Sequence, residues 1–204
     1  KVRKIIYAES SDVYSGLKTF PTTEEKIHPE TFYGDSKAAS HFFAQSFIKY
    51  HQMKITSLRY FNVYGPRQDW RRTDRPIVSE FVIQLLKGEQ PVLYGEGKRS
   101  KDYIYVDDVN DFHILAMKND ATNGEVYNLG SGATTSFKEI LKVIQKLLDT
   151  KVEPELRPPL SFGAEKTEAD ISKARTLGWK PKTSLEEGLK KSIDYIKKEV
   201  LPKL

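Results

Sequence analysis

The chain has 204 residues, 38% hydrophobic and 30% charged, with a net charge of +5 and no cysteine. That length is enough for one good-sized domain or two small ones with a real core. The composition excludes disulfides, a thiolate nucleophile and a cysteine metal site, and no apolar run approaches the ~20 residues of a bilayer span. With no signal peptide in sight, a cytoplasmic protein is the expectation. The basic excess favours anionic ligands such as a nucleotide diphosphate; the basic residues are too dispersed for nucleic acid.

Lys4–Ala8 reads as a short buried strand whose polar end is Glu9-Ser10-Ser11-Asp12. In a parallel α/β sheet that end of a strand is where ligands bind. A loop with Gly16, Pro21 and Pro29 leads to Tyr33, and a helix is predicted from Asp35 to His51. Its apolar face of Ala38, Ala39, Phe42, Phe43, Phe47 and Tyr50 is expected to pack in the core, with a subunit contact as the alternative. Ile55–Tyr60 is the next strand, followed by a loop through Arg67, an exposed charged stretch and an amphipathic helix, Ile77–Lys87, stopped by Gly88. Val92–Tyr94 and Tyr103–Val106 are short strands, and Asp107-Asp108 is expected to cap a helix reaching Met117. Glu125–Leu129 is a strand; Ser136 with Glu139 and Ser184 with Glu187 are capping boxes for two later helices. Residues 151 to 168 form an extended connection, and Asp170–Leu177 a short helix.

The stretch on which function turns is Tyr33-Gly34-Asp35-Ser36-Lys37. Residues four apart on a helix lie one turn from each other on one face. An ammonium beside a phenol stabilises the phenolate and lowers its pKa from ~10, which makes a general base near neutral pH.

Six segments together resemble the extended short-chain dehydrogenase/reductase family, in particular its NAD-dependent nucleotide-sugar epimerases and dehydratases, with UDP-glucose (UDP-galactose) 4-epimerases most alike. They are Tyr7–Tyr14, Tyr33–Lys37, Leu58–Gln68, Tyr94–Gly97 with Asp102–Asp108, Tyr127–Gly132 and Ala169–Ala174. The resemblance implies an α/β fold: the C-terminal portion of a Rossmann-type parallel sheet plus a smaller α/β lobe. Residues 1–65 and 103–131 would complete the NAD-binding domain, and 66–102 and 132–204 the nucleotide-sugar lobe. It implies that Tyr33 is the base, that Lys37 lowers its pKa and bonds the nicotinamide ribose, and that Ser10 relays the proton at the sugar O4. Tyr60 would lie near the nicotinamide, Asn62 and Lys101 against the diphosphate, and Val92 and Tyr94 beside the base, where ordinary packing explains Tyr60, Val92 and Tyr94 equally well. The implied cofactor is NAD, the substrate a UDP-hexose, and the assembly a homodimer through the helix carrying Lys37.

Departures from the family pattern are informative. Gly95-x-Gly97 and Gly130-x-Gly132 lack the third glycine and the βαβ setting of a dinucleotide turn. The chain matches the family from about its fifth sheet strand, so the expectation is an N-terminally incomplete member with a raw sheet edge that does not turn over substrate alone. Lys101 stands where the family usually has arginine, and the family's Arg-Pro-Gly-Asp segment, which falls near Leu160, is absent; Arg157 or Lys166 is a substitute. Asp12 sits where dehydratases and decarboxylases carry a catalytic glutamate, with a loop carboxylate bonded to backbone amides as the simpler reading. Dehydration, decarboxylation and a non-catalytic nucleotide-binding remnant therefore stand as alternatives to 4-epimerisation.

Overall fold

The computed structural model describes residues 2–161 and 163–204; Lys1 of the expected cofactor lobe and Phe162 of the expected substrate lobe lie outside the described residues. Strand β1 (Ile5–Ser10) runs through a 3-10 turn at Ser11–Tyr14 and a loop into helix α1 (Phe32–His51), which returns the chain to β2 (Ile55–Tyr60). β1 and β2 pair in parallel, from Ile5 opposite Ile55 to Ser10 opposite Tyr60. Then follow β3 (Asn62–Tyr64), α2 (Ile77–Leu86), β4 (Val92–Tyr94), β5 (Ser100–Lys101), β6 (Tyr103–Tyr105) and α3 (Val106–Lys118). β7 (Val126–Leu129) lies parallel on the far side of β2, so among the described residues the sheet order is β1-β2-β7. This is the expected Rossmann-type βαβ arrangement, with a middle strand buried on both faces.

Smaller pairings hang from this sheet. β3 lies parallel to β6; β8 (Thr135–Ser136) is antiparallel to β5; and β9 (Glu155–Arg157), within the expected extended connection, runs parallel to β4. Helices α4 (Phe137–Leu148), α5 (Ser172–Arg175) and α6 (Leu185–Tyr195) complete the chain. Two cores result. One joins the sheet to α3 through Leu58, Phe61, Phe112 and Leu129, and draws in Ala169, Ile171 and Trp179 from the C-terminal part. The other joins α2, α4 and α6 through Phe81, Ile83, Ile140, Ile144, Leu189 and Ile193, each worth roughly 1.5–3 kcal/mol when buried.

Three expectations are corrected. The aromatic face of α1 does not pack in the core: Phe42, Phe43 and Tyr50 are 61%, 68% and 71% exposed. The helix meets the sheet through its small residues instead, with Gly34, Ala38 and Ala44 buried. Asp107-Asp108 does not cap α3, which starts after Tyr105 without a side-chain cap. Asp108 is buried and accepts the backbone N–H groups of Lys182 and Thr183 at 2.9 and 3.1 Å, tying down the approach to α6. Ser184 caps α6 by accepting the Glu187 N–H, but the Glu187 carboxylate pairs with Lys191 at 2.8 Å, so only half of that capping box forms. The box of Ser136 and Glu139 on α4 is complete.

Candidate active site

The C-terminal ends of β1 and β2 and the N-terminus of α1 converge on one cleft. Thr31 begins the helix: its backbone is extended and its hydroxyl accepts the Gly34 N–H at 2.9 Å, satisfying one of the helix's free donors. Tyr33 therefore lies in the first turn, 55% exposed, and lines two adjoining cavities of about 310 and 480 Å³. Lys37 follows one turn later with its Nζ 5.7 Å from the Tyr33 ring centroid. The same ammonium donates to the Ala8 carbonyl at 3.2 Å, which anchors it to β1. Ser10 ends β1; its Oγ accepts the Asp12 N–H at 3.1 Å, leaving the hydroxyl proton to donate into the cleft. Ser10 lines both cavities with Tyr33, and the parallel register sets it opposite Tyr60.

The other tyrosines around this space are hydrogen-bonded or buried. Tyr14 accepts from Arg59 Nη1 at 2.6 Å and donates to Asn128 Oδ1 at 2.8 Å, and burial raises its pKa. Tyr64 donates to the Leu185 carbonyl at 3.4 Å, and Tyr103 is buried; burial raises both phenols. Tyr60 meets His113 Nε2 at 2.7 Å, and burial raises it to about 12. His113 Nδ1 faces the Val109 carbonyl at 2.9 Å; a carbonyl only accepts, so Nδ1 carries the proton and Tyr60 donates to Nε2. Tyr60 thus keeps its proton for His113. Among the described residues the Tyr33 hydroxyl has no hydrogen-bond partner, so of these phenols it is the one open to a ligand.

The remaining predicted residues are distributed along the cleft. Asn62 lines both cavities, but its amide donates to the Asp102 carbonyl at 3.1 Å and to Thr167 Oγ1 at 3.3 Å. Contact with a phosphate would require it to release Thr167. Lys101 also lines both cavities and donates to the Ala164 carbonyl. Burial pulls its ammonium down to about 8; the Arg99 cation pushes the same way, and Glu165 and Asp12 oppose it. Tyr94 lies apart, in a groove of about 480 Å³ with Leu156, Pro158 and Pro159, its hydroxyl 3.5 Å from Arg157 Nη1. Arg157 is itself paired with Glu155 at 2.7 and 3.1 Å. Val92 shares a strand face with Tyr94 but does not line that groove. Lys166 lines the smaller cavity, 5.1 Å from the Phe20 ring.

Arg99, His113 and Thr31 were not among the expected site residues. Arg99 lines both the Tyr94 groove and the smaller cavity, joining the two. Its nearness to Lys101, two residues on, was the available signal. Beneath the cleft, Glu9 receives Arg59 Nε at 2.9 Å and meets His41 Nδ1 at 2.9 Å, fully buried. Burial works against its charge, but the bonds from His41 and Arg59 outweigh it and hold the carboxyl below its usual range. Asp102, also buried, accepts from Ser131 and from the backbone of Gly132 and Ala169, fixing the loop after β7. Among the described residues no group of acidic, histidine or cysteine side chains is arranged to hold a metal ion.

Known proteins share this fold. The crystal structure of Thermotoga maritima UDP-glucose 4-epimerase with UDP-glucose superposes with a TM-score of 0.91 at 37% identity, covering 97% of this chain and 64% of that one. Bacillus cereus UDP-glucuronic acid 4-epimerase, solved with UDP-glucuronic acid and NAD, gives 0.89 at 31% identity over 97% and 62%. UDP-glucose 4-epimerase of Mycolicibacterium smegmatis is 31% identical over 96% of this chain, which spans 63% of that relative. The sequence model of the family described as GDP-mannose 4,6 dehydratase matches residues 1–192. The chain accordingly belongs to the GDP-mannose 4,6-dehydratase family of short-chain dehydrogenases/reductases.

Proposed function

We propose that the full-length protein is an NAD-dependent 4-epimerase of a UDP-hexose, acting through a 4-keto sugar. One observation carries this reading: an unpartnered phenol, Tyr33, with an ammonium 5.7 Å from its ring, opens on a cleft beyond the ends of parallel strands. NAD, when bound, accepts a hydride from sugar C4 and returns it. The residues present suit its nicotinamide-ribose end. Among the described residues Lys37 spends one N–H on Ala8, and the others remain for ribose hydroxyls and for the Tyr33 oxygen. Tyr60, its hydroxyl turned to His113, offers a ring rather than a proton donor as a neighbouring wall.

Tyr33 takes the proton of the sugar 4-hydroxyl, and Ser10 bonds the same oxygen and steadies the charge as the carbonyl forms. Lys37 stands one turn on, its ammonium 5.7 Å from the Tyr33 ring centroid. The sugar then turns over, and Tyr33 gives the proton back to O4 when hydride arrives on the opposite face. Lys101 and Asn62 serve the diphosphate, and Tyr94 with Val92 the base, reached past Arg99. The sheet core with residues 1–65 and 103–131 is read as the cofactor lobe, and residues 66–102 and 132–204, centred on the α2–α4–α6 core, as the substrate lobe. The exposed Phe42, Phe43 and Tyr50 on α1 support a homodimer through that helix. No helix among the described residues is long and apolar enough to cross a membrane, and the cysteine-free sequence suits a cytoplasmic location.

A second reading, dehydration or decarboxylation, is favoured by Asp12, which lines the smaller cavity with Ser10 and Tyr33. Incubating the full-length protein with NAD and, in separate reactions, UDP-glucose and UDP-glucuronic acid (which carries the carboxylate a decarboxylase needs) and weighing the products separates them. The epimerase account predicts unchanged mass and a new 4-epimer; loss of water or carbon dioxide contradicts it. Calorimetric binding of UDP without NAD, and no turnover, would instead mark a nucleotide-binding remnant.

A further inference from the structure

We infer that Asp12 is a positioning residue that fixes Tyr33 relative to Ser10 through the hydroxyl of Thr31, and that it moves no proton itself. Asp12 sits at the junction of the two proton-handling groups. Its backbone N–H donates to Ser10 Oγ at 3.1 Å, and its carboxylate Oδ2 accepts the Thr31 hydroxyl. Thr31 in turn accepts the Gly34 N–H at 2.9 Å, which starts the turn that carries Tyr33. A carboxylate, a hydroxyl and a helix amide thus form one directed chain, ending on the positive end of α1, where a negative charge is favourable.

Packing supports the same connection. A Cβ at Gly34 would lie 2.6 Å from the Asp12 carbonyl oxygen and 3.1 Å from Oδ2. Glycine is therefore required for the first turn of α1 to rest on the 3-10 turn after β1. Asp12 Oδ2 is already engaged by the Thr31 hydroxyl. The carboxylate corrects the simpler expectation as well: its side-chain partner is a threonine hydroxyl, not a set of backbone amides.

This inference rests on Tyr33 and Ser10 acting as proposed above, so its test has an arm independent of turnover. In the full-length protein, Asp12→Ala and Thr31→Val should each lower kcat ~10- to 100-fold, the scale of a small misplacement of reacting groups, with KM changed less than about threefold. Both should speed amide hydrogen exchange in residues 33–35. Asp12→Asn and Thr31→Ser, which keep the acceptor and the hydroxyl, should restore both readings to within about threefold of the parent. An Asp12→Asn protein as slow as Asp12→Ala, with exchange like the parent, would make Asp12 an acid or base and overturn the inference. So would Asp12→Ala with unaltered exchange and kcat. Should the parent turn over no UDP-hexose, the epimerase reading fails, while the exchange measurements still decide the clamp.

Discussion

The two ends of the cleft are built differently. At the Tyr33 end the side chains are set by short-range rules: a capped first helical turn, a one-turn spacing and the register of two parallel strands. At the Tyr94 end they come from β4, β9 and residues such as Arg99, Pro158, Pro159 and Glu165, and carbonyls and carboxylates occupy the cations, Arg157 on Glu155 and Arg99 on Leu160 and Glu165. Lys101, in the cavities shared with Tyr33, is likewise held by the Ala164 carbonyl. On the proposed function, the reaction end is pre-formed and the nucleotide end must exchange internal partners for ligand. Substrate choice is accordingly expected to depend on the Tyr94 end, and chemistry on the Tyr33 end.

The largest effect should come from the support beneath the preformed end. Glu9 and Arg59 are a buried pair, and removing Arg59 leaves the buried Glu9 carboxylate with His41 alone and Tyr14 without its guanidinium donor. Arg59→Met should cost ~3–5 kcal/mol of stability, read by denaturant unfolding. A loss below about 1 kcal/mol would mean that the preformed end does not need this pair. At the other end, Tyr94→Ala should weaken UDP binding by ~1–3 kcal/mol if the ring stacks on the base, with kcat nearly unchanged. Unaltered affinity would remove Tyr94 from the site.

The smallest effect is in pH. With a pKa of about 8, against an ordinary 10.5, Lys101 loses its proton as pH rises through 8. Calorimetry should show UDP affinity falling between pH 7 and 9, and Lys101→Met should flatten that slope. Stability should move the other way. The unfolded chain holds this proton up to about 10.5, so unfolding takes up a proton between 8 and 10.5 and the fold gains stability as pH rises there. A flat affinity profile in the parent would detach Lys101 from the anion.

The contrast between the two ends also governs what could be read from residues alone. The positions of Tyr33, Lys37 and Ser10 could be placed because helix spacing and strand-end position are local properties, whereas the roles proposed for them came from the family resemblance. His113 was not, because its role depends on Tyr60, 53 positions away, and nothing local to α3 signals it. Asp108 was legible as a helix-start carboxylate, but its use is set by the backbone of Lys182 and Thr183, 74 and 75 positions away. The aromatic stripe on α1 was visible from its periodicity; what covers it was not, because periodicity marks a face without naming its partner. β9 escaped notice because three residues beside two prolines carry too little pattern.

The central claim, that the Tyr33 phenol exchanges the proton of the sugar 4-hydroxyl, is tested most directly by Tyr33→Phe in the full-length protein with UDP-glucose and NAD. Epimer formation should fall ~10²- to 10⁴-fold, the range for a lost general base, while the melting temperature stays within a degree or two of the parent, since Tyr33 is half-exposed and its hydroxyl unpartnered. A Tyr33→Phe protein that epimerises at the parent's rate would contradict the account.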